Sequence, residues 1–347
     1  MKRLVIYFDG TWNVPQAETN VRRLFEITAD RDEAGVVQVK EYWKGVGTKG
    51  LEWLRGGVFG LGTGRNIRAA YSWIKDRYVD GDEVFILGFS RGAYSARSLA
   101  GMIARCGLLQ SGATTSVDEI YRRYADKKKD LVPDSRLIPI HFVGVWDTVG
   151  ALGVPWGNLT GISRSTTLFH NTSPSPLYRN MFQALAVDEH RAAFAQTLWT
   201  DEDGFTLKPE QRIEQRWFVG AHSDVGGGSG RDQGLPRVAL AWMWDRADEC
   251  GLAFTRKIVE DPNDYRAHIS DSFGSFLLGA YRLVKLNRPF YRPVLQAEIT
   301  TADGKIVHPL NETIDPSVSR RWQDVSAYRQ EAKNLAGVFS QSNASPN

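Results

Sequence analysis

The chain has 347 residues, of which 42% are hydrophobic and 24% charged, a composition typical of a soluble globular protein. Its 43 basic and 40 acidic residues give a net charge of +3, which is too balanced for a protein that binds nucleic acid through charge. Two cysteines, Cys106 and Cys250, are too few for a disulfide framework.

The first predicted element is an apolar run at residues 4–8, which ends at Asp9. This run is too short for the apolar core of a signal peptide. No apolar stretch of the sequence approaches the length of a membrane span. These features predict a cytoplasmic location.

Short apolar runs then alternate with helical patterns along the chain. The apolar runs predict strands at residues 4–8, 36–43, 84–89, 138–146 and 213–219. The helical patterns predict helices at residues 66–78, 91–106, 176–187 and 235–250, and a capping box at residues 116–119 opens a further helix. Because strands and helices alternate, we expect an α/β fold with a mainly parallel central sheet and helices on both faces.

Neither an internal repeat nor a long linker interrupts this pattern, so we expect a single domain over residues 1–335. Residues 60–64, GLGTG, lack the lysine and hydroxyl residue of a nucleotide-binding loop and are interpreted as a flexible loop. Residues 151–177 are rich in Gly, Pro, Ser and Thr, which indicates an irregular loop or a lid. Residues 336–347 are expected to be a disordered tail.

Polar clusters follow four of the predicted strands. In parallel sheets, ligands bind beyond the carboxyl ends of the strands, so these clusters are expected to share one edge. They begin at Asp9, Ser90, Asp147 and His222.

The sequence GFSRG places Ser90 between a predicted strand and a predicted helix, with Gly88 and Gly92 two residues away on each side. A serine on such a turn has a strained backbone and an exposed hydroxyl, and the two glycines relieve crowding. This is the nucleophile elbow G-x-S-x-G. The sequence therefore predicts Ser90 as a catalytic nucleophile.

A nucleophilic serine needs a base, and the base needs a group that orients it. Of six histidines, only His222 follows a predicted strand and enters a glycine-rich loop. The chain order Ser90, Asp147, His222 is the one that α/β-hydrolases use. Asp224, two residues after the base, is the rival acid, and its alternative interpretation is a turn residue that supports the neighbouring glycines.

An oxyanion hole requires backbone N–H groups near the nucleophile. The N–H of Arg91 follows Ser90 at the start of a helix, where negative charge is favoured. Gly10 and Thr11 follow a neighbouring strand and are the second candidates. Asp9 is expected to hold their loop by accepting backbone hydrogen bonds.

Two loop regions, residues 48–64 and 151–177, are predicted to frame an apolar acyl site. Their large apolar side chains are Leu51, Trp53, Leu54, Phe59, Trp156 and Phe169.

Several long motifs, in this order, resemble the DUF2235 family, which includes the Tle1-type phospholipase effectors of type VI secretion. The motifs are FDGTWN, GFSRGAYSARSLAGMI, GVWDTVGALG, ALAVDEHRAAF and WFVGAHSDVGGG. The resemblance covers residues 3–322. It implies an α/β-hydrolase fold, serine esterase or phospholipase activity, and the roles of nucleophile, acid and base for Ser90, Asp147 and His222. A serine mechanism of this kind needs no metal or organic cofactor.

The hypothesis is a serine hydrolase of carboxylic esters, most specifically a phospholipase-type acyl hydrolase, which contacts membranes peripherally. Export by contact-dependent secretion, which needs no signal peptide, is the alternative to a cytoplasmic location. A rival hypothesis is a metal-dependent phosphoesterase that uses Asp9, Asp147, His222 and Asp224 as ligands. A third is a module on a hydrolase scaffold that binds lipid or a partner without catalysis. The sequence does not predict an oligomeric state.

Overall fold

The structure of the protein is a computed structural model, which describes residues 1–10, 18–45, 58–128, 131–149, 173–228, 232–274, 288–301 and 304–342. Its described strands are, in chain order, β1 (Arg3–Phe8), β2 (Gln38–Trp43), β3 (Glu83–Phe89), β4 (Leu108–Leu109), β5 (Ser135–Arg136), β6 (Ile140–Trp146), β7 (Tyr178–Ala186), β8 (Arg212–Phe218), β9 (Ile299–Thr300), β10 (Ile306–Val307) and β11 (Glu312–Ile314).

Seven of these strands form the central sheet, in the order β11-β8-β7-β6-β3-β1-β2, and every pairing between them is parallel. The register aligns their carboxyl ends: Phe8 of β1 lies opposite Gly88 of β3, and Phe89 lies opposite Trp146 of β6. The segments that follow these strands therefore meet at one edge, as the sequence predicted.

The described α-helices surround this sheet. They are α1 (Asn20–Ile27), α2 (Val58–Lys75), α3 (Arg91–Cys106), α4 (Val117–Ala125), α5 (His222–Gly226), α6 (Gly234–Glu249), α7 (Pro316–Asp324), α8 (Ser326–Glu331) and α9 (Ala336–Ser342). None of the helices in the described ranges is both long and apolar enough to cross a membrane.

Both faces of the sheet are buried. Along β1, alternate side chains enter two different apolar clusters: Leu4 and Ile6 pack with residues of α2, α3 and α4, whereas Val5 and Tyr7 pack with residues of α1 and α6. Successive side chains of a strand point to opposite faces of the sheet. All of them are therefore buried only when helices cover both faces. The predicted α/β architecture, with helices on both faces of a parallel sheet, is confirmed.

One predicted element is wrong. Residues 176–187 were predicted to be a helix, but Tyr178–Ala186 forms β7, between β6 and β8. Met181 to Ala186 is buried without interruption, because both faces of this strand are covered. A segment that is buried on both faces shows no alternation between buried and exposed positions, so periodicity could not distinguish it from a buried helix.

Two segments predicted to lack structure are helical. Residues 60–64 were predicted to be a loop but lie in α2, and a Cβ atom added to Gly64 would come within 2.7 Å of the Tyr121 hydroxyl. The absence of a side chain at this position thus allows α4 to pack close to α2, although glycine has a low helix propensity. The predicted disordered tail begins with α9, where the Phe339 ring stacks on Trp322 at 5.1 Å, so apolar packing orders at least this part.

Candidate active site

Ser90 lies on the turn between β3 and α3, with φ 57° and ψ −119°. Only glycine adopts positive φ without strain, so this backbone is held by its surroundings. The Ser90 N–H donates to the carbonyl of Trp146 at 3.0 Å, which ties the turn to the end of β6. The predicted strand-turn-helix setting is therefore present, and the side chain is buried at the carboxyl edge of the sheet.

Gly88 and Gly92 make this turn sterically feasible. A Cβ atom on Gly88 would lie 2.4 Å from the carbonyl oxygen of Gly92, so these two residues crowd each other as expected. A Cβ atom on Gly92 would lie 2.1 Å from the carbonyl oxygen of Phe8, a contact with β1 that the sequence did not indicate. Glycine at position 92 therefore allows α3 to begin directly against the end of the neighbouring strand.

Replacement of Gly92 by alanine is expected to destabilise the fold, because the clash is with backbone atoms that cannot rotate away. We expect the free energy of unfolding to fall by about 2 kcal/mol or more. The matched control is Gly337→Ala, since no atom lies within 4 Å of the added Cβ in that helix. The control should gain about 0.5–1 kcal/mol. Urea unfolding measures both, and equal stabilities of the two variants would contradict the packing described for Gly92.

His222 is the first residue of α5, which follows β8. A hydrogen bond joins its Nε2 to Ser90 Oγ at 2.7 Å. The imidazole is buried and packs against two aromatic rings, with ring centres of Phe89 at 4.8 Å and Phe194 at 5.1 Å. Tertiary packing therefore holds the ring in the plane in which it reaches the serine.

Asp147 directly follows β6 and lies on the other side of this imidazole. Its Oδ2 is 2.5 Å from His222 Nδ1, and its Oδ1 accepts the Ala186 N–H at 3.0 Å. Arg292 donates to both oxygens, from Nη1 to Oδ1 at 2.6 Å and from Nη2 to Oδ2 at 3.0 Å. Ser90, His222 and Asp147 thus form one continuous hydrogen-bonded row.

Opposing effects act on the pKa of the Asp147 carboxyl group. Burial raises the pKa of its carboxyl group, but the charge of Arg292 and the hydrogen bond with His222 outweigh burial and hold that pKa well below its usual range. Both Asp147 and Arg292 are completely buried. The carboxylate therefore remains ionised next to the imidazole.

Asp224 lies on α5 with His222 but faces other groups. Its Oδ2 accepts the backbone N–H groups of Ala221 and Ser270, both at 2.9 Å, and its Oδ1 accepts the Ser270 hydroxyl at 2.6 Å. Gly220 has φ +114°, and a Cβ atom there would lie 2.5 Å from Asp224 Cβ. Asp224 therefore holds the glycine turn before His222, and the acid in contact with the imidazole is Asp147.

Asp9 holds the segment that follows β1. Its carboxylate accepts the Gly10 N–H at 2.6 Å and the hydroxyl groups of Thr19, at 2.7 Å, and Tyr42. The Gly10 N–H is therefore engaged by the carboxylate of the preceding residue. Thr11 lies outside the described residues.

Arg91 is the first residue of α3, so its N–H belongs to the helix end at which amide groups point outward toward anions. Burial lowers the pKa of the Arg91 guanidinium to about 10, which leaves it charged at neutral pH. The described site therefore offers a helix N-terminus beside Ser90.

Two groups near His222 were not assigned roles from the sequence. Glu189 is buried, pairs with Arg191 at 2.7 Å and accepts the His222 N–H at 3.3 Å. Its motif, ALAVDEHRAAF, was visible in the sequence, but no spacing rule connected it to the site. Arg292 had no sequence signal, because it lies in a Pro-rich segment 145 residues from Asp147.

The predicted acyl-site residues cannot be placed. Leu51, Trp53, Leu54, Trp156 and Phe169 lie outside the described residues, as does most of the proposed lid at residues 151–177. Phe59 lies in α2, but its side chain is likewise outside the described part. The acyl site therefore stays a prediction.

The four residues of the metal hypothesis have separate partners. The Asp9, Asp147 and Asp224 carboxylates are each engaged in different hydrogen-bond sets, and only Asp147 contacts His222. Among the described residues, no group of three or more His, Cys, Asp or Glu side chains is arranged to hold a metal ion. This part of the structure gives the metal hypothesis no geometric support.

Residues 2–246 match the model of the family described as "T6SS, Phospholipase effector Tle1-like, catalytic domain". A curated relative, "Uncharacterized protein YEL023C" of Saccharomyces cerevisiae, is 28% identical over 234 residues. That match covers 57% of this chain and 33% of the yeast protein, so the chain spans about a third of the length of its relative.

Two solved structures are similar to the chain. One is an uncharacterized protein from Pseudomonas aeruginosa, with 20% identity and a TM-score of 0.46, over 82% of this chain and 50% of that protein. The other is the Tle1 effector bound to the VgrG spike from the type 6 secretion system, with 16% identity and a TM-score of 0.44, over 83% of this chain and 80% of the effector.

Proposed function

Because the chain belongs to the family of type VI secretion phospholipase effectors with a Tle1-like catalytic domain, we propose that it is a serine hydrolase that cleaves carboxylic esters of phospholipids. The observation that carries the serine mechanism is the row of hydrogen bonds from Ser90 through His222 to Asp147. This order of nucleophile, base and orienting acid serves acyl transfer on unrelated folds.

In the proposed mechanism, Ser90 Oγ attacks the ester carbonyl carbon while His222 Nε2 takes the hydroxyl proton. Asp147 accepts a hydrogen bond from Nδ1 and stabilises the imidazolium. The tetrahedral intermediate expels the alcohol, which receives the proton from Nε2, and the acyl group stays on Ser90. Water, deprotonated by His222 Nε2, then attacks the acyl carbonyl carbon. The bond from this carbon to Ser90 Oγ breaks, Oγ recovers a proton from Nε2, and the carboxylic acid is released.

The oxyanion of the tetrahedral intermediate needs N–H donors beside Ser90. We assign one to Arg91, because it opens α3 next to the nucleophile. We assign the other to the loop after β1, at Thr11 rather than Gly10, since the Gly10 N–H donates to Asp9. In this arrangement Asp9, Gly88, Gly92 and Asp224 act by holding the backbone of the site.

The substrate class and location are also part of the proposal. A phospholipid substrate requires contact with a membrane surface, for which peripheral binding suffices. Export by contact-dependent secretion is the route that the family description suggests for this chain.

The substrate proposal is tested by incubating the purified protein with phosphatidylcholine vesicles and with a short-chain p-nitrophenyl ester. We expect release of fatty acid from the vesicles, with a higher kcat/KM than for the short ester. Activity should persist in EDTA, because the proposed mechanism uses no metal. Loss of activity in EDTA would favour the metal-dependent phosphoesterase, as would release of phosphate or a phosphorylated head group without fatty acid. Vesicle binding without any product would favour the non-catalytic module.

A further inference from the structure

The guanidinium of Arg292 completes the environment of Asp147. Besides its two bonds to the carboxylate, Nη1 donates to the carbonyl of Ala186 at 2.9 Å, and Nη2 donates to the carbonyl of Phe194. Arg292 and Asp147 have no solvent exposure. A buried arginine that donates two parallel hydrogen bonds to a carboxylate fixes the plane of that carboxylate and stabilises its charge.

The backbone of Arg292 is also held in place. The Asn334 amide donates to the carbonyl of Arg292 at 3.0 Å and to that of Val187 at 3.1 Å. The Phe290 N–H donates to the carbonyl of His190 at 2.9 Å. These contacts attach the segment around Arg292 to the segment that follows β7. Arg292 lies beyond residue 246, where the family match ends, so a later part of the chain supplies this group.

The geometry connects Arg292 to the imidazole by two routes. Through Asp147, it sets the direction of the oxygen that contacts His222 Nδ1. Through the carbonyl of Phe194, it holds a residue whose ring packs against the imidazole. Loss of Arg292 would therefore loosen both the hydrogen-bond partner and one wall of His222.

We propose that Arg292 is a positioning residue of the active site, which orients the Asp147 carboxylate toward His222. The role rests on the proposed serine mechanism, and it extends the functional unit into the C-terminal part of the chain. Arg292 does not touch the reacting atoms, so its effect must pass through Asp147 and His222.

The charges around Asp147 set the expected direction of a pH effect. His222 and Arg292 contact its carboxylate directly. Glu189, which is paired with Arg191, accepts the backbone N–H of His222. Without Arg292, one positive charge disappears from beside the Asp147–His222 pair. The Asp147–His222 pair would then take up a proton at higher pH. Since a protonated imidazole cannot act as the base, the acid limb of the pH–rate profile, where the rate falls with falling pH, should move to higher pH.

The test compares Arg292→Met, Arg292→Lys, Arg292→Ala and Arg321→Met with the wild type. Arg321 is the matched control: it is also a buried C-terminal arginine, but its guanidinium donates to the carbonyls of Tyr265 and Ala267. The rate of labelling by a fluorophosphonate is measured from pH 5 to 9, at a temperature well below each Tm.

We expect Arg292→Met to slow labelling roughly 10- to 100-fold, as a small misplacement of a catalytic group does. Its acid limb should move to higher pH. Arg292→Lys keeps the charge but not the two-pronged geometry, so it should recover part of the rate and most of the pH profile. Arg321→Met should lower Tm without moving the acid limb. Added ethylguanidinium should partly restore the rate of Arg292→Ala.

An unchanged labelling rate and pH profile for folded Arg292→Met would overturn the proposal, as would an equal shift in Arg321→Met. Failure of the serine mechanism is distinguishable, because then the wild type itself forms no adduct at Ser90. In that event, an NMR titration of His222 in wild type and in Arg292→Met still tests the positioning role of Arg292. An imidazole pKa that is identical in wild type and Arg292→Met would overturn the role independently of activity.

Discussion

Ser90→Ala should abolish covalent labelling by a fluorophosphonate and lower the rate of ester hydrolysis by about five to six orders of magnitude. The reason is that the acyl group has no other acceptor in the described row of hydrogen bonds, where Ser90 Oγ alone lies against His222 Nε2. Intact mass spectrometry after labelling gives the first readout. One adduct per wild-type chain and none on the variant is the expected result.

Ser98→Ala is the matched control for this experiment. Ser98 is a buried serine in α3, the helix that begins directly after Ser90, and its hydroxyl has no hydrogen-bond partner among the described residues. This variant should label like the wild type. Retention of the adduct in Ser90→Ala would place the reactive group elsewhere. The absence of an adduct on folded wild type would mean that Ser90 is unactivated or occluded. That result would favour the metal-dependent phosphoesterase or the non-catalytic binding module.

Asp147→Asn should cause the second large effect, on both activity and stability. An amide cannot stabilise the imidazolium and favours the wrong tautomer of His222, which should lower kcat by about four orders of magnitude. The substitution also leaves the Arg292 guanidinium buried without its counter-charge. We expect this to lower the free energy of unfolding by about 3–5 kcal/mol. Steady-state kinetics and urea unfolding measure the two effects.

The pH dependence of this stability difference has a defined sign. The folded-state pKa of Asp147 is depressed, so its stabilising contribution is fully present above the unfolded-state pKa of about 4. That contribution is lost as the pH falls through the folded-state pKa. The difference in stability between wild type and Asp147→Asn should therefore be constant at neutral pH and shrink in acid.

Asp224→Asn separates the two candidate acids. Asp224 makes no described contact with the imidazole, and its carboxylate instead holds Ala221 and Ser270. We expect activity within about tenfold of wild type, because the row from Ser90 to Asp147 is retained. Equal losses of kcat in Asp147→Asn and Asp224→Asn would contradict the assignment of Asp147 as the orienting acid.

Much of the fold could be predicted because local patterns and tertiary structure agree. Along β1, the alternation of apolar side chains between two clusters matches the period of a strand. The capping box is also observed in part, since the Ser116 hydroxyl accepts the Glu119 N–H at 3.1 Å. The prediction failed at β7, where burial on both faces removed the alternation that identifies a strand.

In the candidate site, too, some features could be predicted from local patterns and others depend on packing. The strand-end positions of Ser90, Asp147 and His222 could be predicted, because motif, chain order and the parallel sheet place such residues at one edge. The contact of Asp147, rather than Asp224, with the imidazole became clear from the folded chain, as did the hydrogen bond from the Gly10 N–H to Asp9. The same holds for the pairing of Arg292 with Asp147. Side-chain direction and pairing between distant segments depend on packing, which no local pattern in the chain encodes.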